Sequence, residues 1–330
     1  MDKPGKGSQR SARGKGRGKR KLWPLYPALG LIAALLVVIV ADLPRHPQPP
    51  VVLPPLVYSG LASSRGGAPK VLPAAPAAEH DPSGSQVVAM RSTGVEPRRV
   101  RGTLIVVIDD VGYNLEELAP FLSMPLPLTL SVLPQLPDTA RAYQLITAAG
   151  KLAILHQPME ALAQINPGPG TITATMTRAE VDDVLTKDLA ELPGVKWMNN
   201  HEGSKITSDR TVMGWVLTYV QDHHLQFLDS RTTGDSVVEA AAVQMGMPYF
   251  ERNSPFLDDS VSRPVIMAAI EAGTKVAERD GYSVMIGHVW DHDLPGILSA
   301  IYPKLLSAGF RFETVGELPA LVKDRESTRH

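Results

Sequence analysis

The 33 Lys and Arg of this 330-residue chain nearly balance its 34 Asp and Glu, but the basic residues crowd at the N-terminal end, so the net charge describes neither end of the molecule. Cysteine is absent, which excludes a disulfide-stapled scaffold, thiolate metal ligation and a lipid-modified cysteine anchor.

Residues 1–21 carry Lys3, Lys6, Arg10, Arg13, Lys15, Arg17, Lys19, Arg20 and Lys21 among glycines and serines, a basic tail that can bury no core. Residues 22–41 hold no charge, and about 20 such residues in a helix cross a ~30 Å bilayer core. The basic block before them and Asp42 after them place the N-terminus in the cytoplasm and the rest of the chain outside, with Trp23 and Tyr26 at the interface. A cleaved signal peptide is the competing reading, but the stretch is long for one and no convincing small-x-small cleavage site follows it. A single-pass anchor in the inner (cytoplasmic) membrane is therefore expected, with the remainder periplasmic or otherwise extracytoplasmic. This orientation rule already accounts for the basic residues, so no nucleic-acid partner is invoked. Residues 42–100 are rich in Pro, Ala, Gly and Ser and show no period of 2 or 3.6, which predicts a disordered, semi-rigid linker.

From Thr103 onward, short apolar runs alternate with helical patterns. The runs fall at 104–108, 128–133, 152–155, 195–198, 225–228, 248–250, 283–286 and 310–312. Between them, Thr177-x-x-Glu180 and Ser236-x-x-Glu239 read as capping boxes, and Val181, Val184, Leu185, Leu189 and Leu192 share one helical face. Strands that are apolar throughout, separated by amphipathic helices, indicate a parallel α/β sheet buried on both faces. Seven to eight such units favour a closed or nearly closed barrel, with an open doubly wound sheet as the alternative. The domain is expected over 101–323, leaving 324–330 as a tail.

Several runs stop at polar residues able to bind a metal or move a proton. Asp109 and Asp110 follow the first run. His156 follows the third, with Glu160 four residues on. Asn199, Asn200 and His201 follow the fourth, Asp229 and Ser230 the fifth, and Gly287 and His288 the seventh. In a β/α barrel the carboxyl ends of the strands converge on one rim. A carboxylate with two imidazoles is an open site for a catalytic divalent metal, and a second carboxylate beside it can take a proton from water. Each element also has a plainer reading: Asp109-Asp110 before Gly112 as a turn, and a lone His as a hydrogen-bonded structural residue. His223 and His224, late in a predicted helix, read as partners of its C-terminal dipole and not as ligands.

The motifs IVVIDDVGYN (105–114), LHQPME (155–160), NNHEGS (199–204), FLDSRT (227–232), FLDD (256–259) and IGH (286–288), in that order, resemble the divergent polysaccharide deacetylases. That resemblance covers 103–322 and implies a deformed (β/α) barrel. It implies Asp109 as general base, Asp110 and His156 as metal ligands, and His288 as general acid. Where the wider family has a second His shortly after the first, this chain has Glu160. His201 is taken to complete the ligand set, with Glu160 as the substitute. No Arg-containing loop motif of the wider family is recognisable. Asn199, Asn200, Asp229 and Ser230, with Glu160, are expected to orient ligands or substrate hydroxyls. The implied activity is a metal-dependent hydrolase, with a divalent ion of the zinc class, removing N- or O-acetyl groups from an envelope polysaccharide such as peptidoglycan. The alternative is a catalytically inactive barrel that binds glycan or scaffolds the envelope.

Overall fold

In the computed structural model, which describes residues 100–328, the strands are β1 (Gly102–Val111), β2 (Thr129–Val132), β3 (Leu152–Met159), β4 (Trp197–Glu202), β5 (Gln226–Asp229), β6 (Phe250–Glu251), β7 (Tyr282–His288) and β8 (Phe310–Glu313). Each is followed by a helix: α1 (Leu115–Leu122), α2 (Thr139–Ala148), α3 (Arg178–Ala190), α4 (Arg210–Asp222), α5 (Val238–Gln244), α6 (Arg263–Asp280), α7 (Leu294–Ala308) and α8 (Leu318–Thr328). The β/α alternation is complete, and α8 runs on past residue 323. The expected basic tail, the membrane helix over 22–41 and all of the linker but Val100 lie outside the described residues. Among the described residues no helix is long and apolar enough to cross a membrane.

Along β1, Leu104, Val106 and Ile108 join the apolar layer shared with the helices, while Ile105 and Val107 join a second cluster with Ile154, Trp197, Leu228, Val284 and Ile286 from the other strands. Successive side chains of a strand point to opposite faces, so the second cluster is the barrel interior. Burial on both faces is why the runs of β1, β2, β3 and β7 lack polar alternation.

All strand pairs are parallel, in the order β6-β5-β4-β3-β2-β1-β7, with β8 also on β1. Leu104 pairs with Ser283 of β7 and with Phe312 of β8, whereas Val107 and Ile108 pair with Thr129 and Leu130 of β2. Strands β8 and β2 thus occupy one edge of β1 in succession, which deforms the barrel. No ladder joins β6 to β7 among the described residues; the segment after β6 takes its place. Asn253 Oδ1 accepts the Val284 N–H at 2.8 Å, Ser254 Oγ donates to the Val284 carbonyl at 2.8 Å, and the Leu257 N–H donates to the Ile286 carbonyl at 2.7 Å. The nearly closed barrel forms, and the open doubly wound sheet does not.

Two local expectations shift. The run at 195–198 starts its strand only at Trp197, because the Val195 N–H closes a turn onto the Leu192 carbonyl. The Thr177–Glu180 capping box is present with both of its hydrogen bonds, but helix α5 has no such box. Ser236 donates instead to Asp229 Oδ2 at 2.6 Å, and Val237 becomes the N-cap.

Candidate metal centre

The alternation that fills the barrel interior continues into chemistry. Past Ile105 and Val107 the same face of β1 presents Asp109; past Ile154, β3 presents His156; past Trp197, β4 presents Asn199 and His201; past Ile286, β7 presents His288. Asp110 joins them because β1 breaks its alternation. Its φ is 67°, and the β1–β2 register slips between Ile108 and Val111. Consecutive carboxylates are thereby brought to one cavity. A left-handed non-glycine residue costs on the order of 1–3 kcal/mol, and such residues gather at functional sites. Glu202 and Arg231, at the ends of β4 and β5, share that conformation at φ 54° and 52°.

Asp110 Oδ1 lies 2.9 Å from His201 Nδ1 and 3.3 Å from His156 Nε2, and the two nitrogens are 3.2 Å apart. Bonds of about 2.0–2.2 Å to a tetrahedral ion put ligand atoms roughly 3.3–3.6 Å from one another, close to this triangle. Asp110 Oδ1 is buried, and among the described residues no properly directed hydrogen bond satisfies it despite its two neighbours. Three potential donor atoms within 3.3 Å of one another, one of them an orphaned buried oxygen, fit a cation. His156 Nδ1 donates to Asn199 Oδ1 at 2.8 Å, which leaves Nε2 as its ligand atom.

Protons compete for the same lone pairs. Burial opposes ionisation of Asp110, but the His156 and His201 imidazoles outweigh it and hold the carboxyl well below the usual carboxylate range. Burial also opposes a charge on His156, yet Asp109 and Asp110 push its pKa up.

Beside the triangle, Asp109 is buried with its Oδ2 3.7 Å from His156 Nε2. Asn199 Nδ2 donates to Asp109 Oδ1 and Oδ2 at 3.0 and 3.2 Å, and lies 3.2 Å from Ser230 Oγ. One amide therefore fixes the tautomer of His156 and the orientation of Asp109.

Across a cavity of about 480 Å³, His288 Nδ1 lies 2.9 Å from Asp258 Oδ1, and its backbone N–H donates to Asp258 Oδ2 at 2.6 Å. Burial opposes a charged imidazole, but the Asp258 carboxylate overrides it, and the His288 pKa is pushed up to about 9. The ring stacks with Trp290 (centroids 5.0 Å apart) and with Phe256 (5.7 Å). Trp290 Nε1 donates to Asp110 Oδ2 at 3.0 Å.

Of the other expected residues, Asn200 ties strand ends together, its Oδ1 accepting the Ser230 N–H at 2.9 Å and its Nδ2 donating to the Glu202 carbonyl at 2.8 Å. Asp229 is buried outside the cavity wall, accepting the Arg231 N–H at 2.8 Å. Glu160 is turned away from the centre: β3 ends at Met159, the Ala174 N–H donates to Glu160 Oε2 at 2.8 Å, and Lys205 Nζ holds Oε1 at 2.6 Å. It braces the loop after β3 and is not placed to be a ligand. His223 caps α4, its Nδ1 donating to the Tyr219 carbonyl at 2.9 Å, in keeping with a helix C-terminal partner.

No strand-end pattern in the sequence marks Trp290, Asp258 or Phe256. The first stands two residues beyond His288; the others lie within the quoted FLDD motif, but in an irregular segment with no strand-end context. Arg252, in the same segment, donates to the carbonyls of Ser230 and Arg231 at 2.9 Å each and stacks over Phe256.

Compared with known proteins, residues 106–318 match the family described as divergent polysaccharide deacetylase. An uncharacterised protein of Haemophilus influenzae is 33% identical over 185 residues, covering 56% of this chain and 66% of that protein. The YibQ protein of Escherichia coli is 32% identical over 190 residues, covering 57% and 58% respectively. The chain thus spans less than two thirds of the length of either relative. The crystal structure of protein ATU2773 from Agrobacterium tumefaciens shares the fold, with a TM-score of 0.63 at 19% identity over 66% of this chain and 89% of that one.

Proposed function

The chain belongs to the divergent polysaccharide deacetylases, and we propose that it hydrolyses acetyl groups from an envelope carbohydrate at a zinc-class ion held by Asp110, His156 and His201. The observation that carries this reading is the triangle of those three side chains beside a buried carboxylate, Asp109, and across a cavity from a proton-rich imidazole, His288. Two imidazoles and one carboxylate suit zinc better than calcium or magnesium, which prefer all-oxygen shells.

When bound, such an ion supplies Lewis acidity to the acetyl carbonyl and to water. Asp109, held by Asn199, accepts a proton from the attacking water. His288, charged at neutral pH through Asp258, delivers a proton to the amine nitrogen as the C–N bond breaks. The water oxygen ends in acetate, and the sugar is left as a free amine. For an O-acetyl substrate the same proton goes to the sugar oxygen as the C–O bond breaks, leaving a free hydroxyl.

The charge-free stretch at 22–41 supports a further part of the proposal: the domain is tethered outside the cytoplasmic membrane and acts on peptidoglycan or another N-acetylated polymer. The test uses the purified full-length chain and an N-acetylated oligosaccharide. Stoichiometric zinc and acetate release, both abolished by Asp110→Ala, are expected. Glycan binding that survives chelation, with no acetate released by metal-loaded protein, would favour a glycan-binding barrel instead.

A further inference from the structure

Trp290 joins two groups that the proposed reaction uses separately. Its indole N–H donates to Asp110 Oδ2 at 3.0 Å, while its face stacks on His288 at 5.0 Å with 15° between the planes. Core burial does not explain its place, since it is 41% exposed on the cavity wall.

Its backbone, by contrast, is pinned on both sides. The Val289 N–H donates to the Asp109 carbonyl at 3.0 Å, and the Asp291 N–H reaches the His288 carbonyl at 3.3 Å. Asp291 Oδ1 then accepts the Asp293 N–H at 2.9 Å at the start of α7. The indole is thus presented from a turn fixed to β1, β7 and α7.

A carboxylate turns easily about its last torsion, so Asp110 needs something to choose which oxygen faces the imidazoles. An indole N–H is a donor only, and engaging Oδ2 leaves Oδ1 as the oxygen beside His156 and His201.

We propose that Trp290 is a positioning residue that sets the two halves of the centre together, its N–H orienting Asp110 as a one-oxygen ligand and its face fixing the His288 ring alongside Phe256. The inference rests on the metal-dependent reading of this cavity.

Two variants of the full-length chain separate the roles. Trp290→Phe keeps an aromatic face and loses the N–H; Trp290→Leu loses both. Zinc affinity is read on metal-free protein by competition with a chromogenic chelator, beside the thermal midpoint and the pH–rate profile. Trp290→Phe is expected to weaken zinc binding about 10- to 100-fold, as loss of a ligand-orienting partner does, with the metal-free midpoint and the alkaline limb in place. Trp290→Leu is expected to weaken zinc equally and also to move the alkaline limb. Wild-type zinc affinity in Trp290→Phe overturns the orienting role, and an unmoved limb in Trp290→Leu overturns the stacking role. A wild-type chain that binds zinc but releases no acetate would sink the hydrolase while leaving the N–H role standing; one that binds no zinc would sink both.

Discussion

Asp109 of β1 and His288 of β7 are register partners in the parallel ladder. Neighbouring strands lie about 4.8 Å apart, so the proposed base and acid start from one rung of the barrel while Asp110, one residue on, is diverted to the imidazoles. Asp109→Asn is therefore expected to lower kcat roughly 10²- to 10⁴-fold with zinc content unchanged, whereas Asp110→Asn loses the zinc itself. Parallel measurement of kcat and bound zinc in the two variants checks the division; equal zinc loss in both would refute it.

The His288 pKa of about 9 fixes a direction with pH. Because the folded value lies above the ordinary value of about 6.5, the charged form persists through neutral pH and disappears as pH rises through about 9. The rate is expected to hold across neutral pH and fall above pH 9. Asp258→Asn should draw that limb down towards 6.5. Stability follows the same sign: the contribution of the pair is full below about pH 6.5 and lost by about pH 9. A thermal midpoint that does not decline over this window in the wild type would contradict the assignment.

Zinc and protons should compete at His156, whose pKa is raised by Asp109 and Asp110 against the effect of burial. Binding is expected to release protons, and affinity to weaken about tenfold per pH unit for each proton displaced as pH falls. Calorimetry in buffers of different ionisation enthalpy measures the number released. Heats that do not depend on the buffer would rule out the competition.

Asn253 is expected to matter for the fold and not for the ion. Its side chain accepts the Val284 N–H where β6 and β7 fail to pair, so Asn253→Ala leaves a backbone donor unsatisfied at a cost of about 1–3 kcal/mol. The thermal midpoint should drop by several degrees, roughly 2–4 °C per kcal/mol, with zinc affinity of the folded protein retained. An unchanged midpoint would mean that the barrel closes without this bond.

How far the chain explains itself follows from which forces are local. All eight strands are visible as apolar runs, most of them because burial on both faces removes polar alternation, whereas β8 alternates, with Arg311 exposed between buried Phe310 and Phe312. The same period of 2 brings Asp109, His156, Asn199, His201 and His288 to one rim, although β3 and β4 run on through these residues where the apolar runs stop, since backbone pairing needs no apolar side chain. Glu160 looks like a ligand by its distance from His156, but the end of β3 and the pull of Lys205 and the Ala174 amide are tertiary facts. Asp258 is placed by the bond from the Leu257 N–H to Ile286, across a gap that no local pattern reveals. Trp290 is reached only through the turn that follows β7.

The most direct test of the centre is anomalous diffraction at the zinc edge from crystals of the zinc-loaded full-length protein. One peak is expected within about 2.0–2.2 Å of Asp110 Oδ1, His156 Nε2 and His201 Nδ1. A peak held by other residues, or no peak with these three side chains dispersed, would contradict the proposed centre.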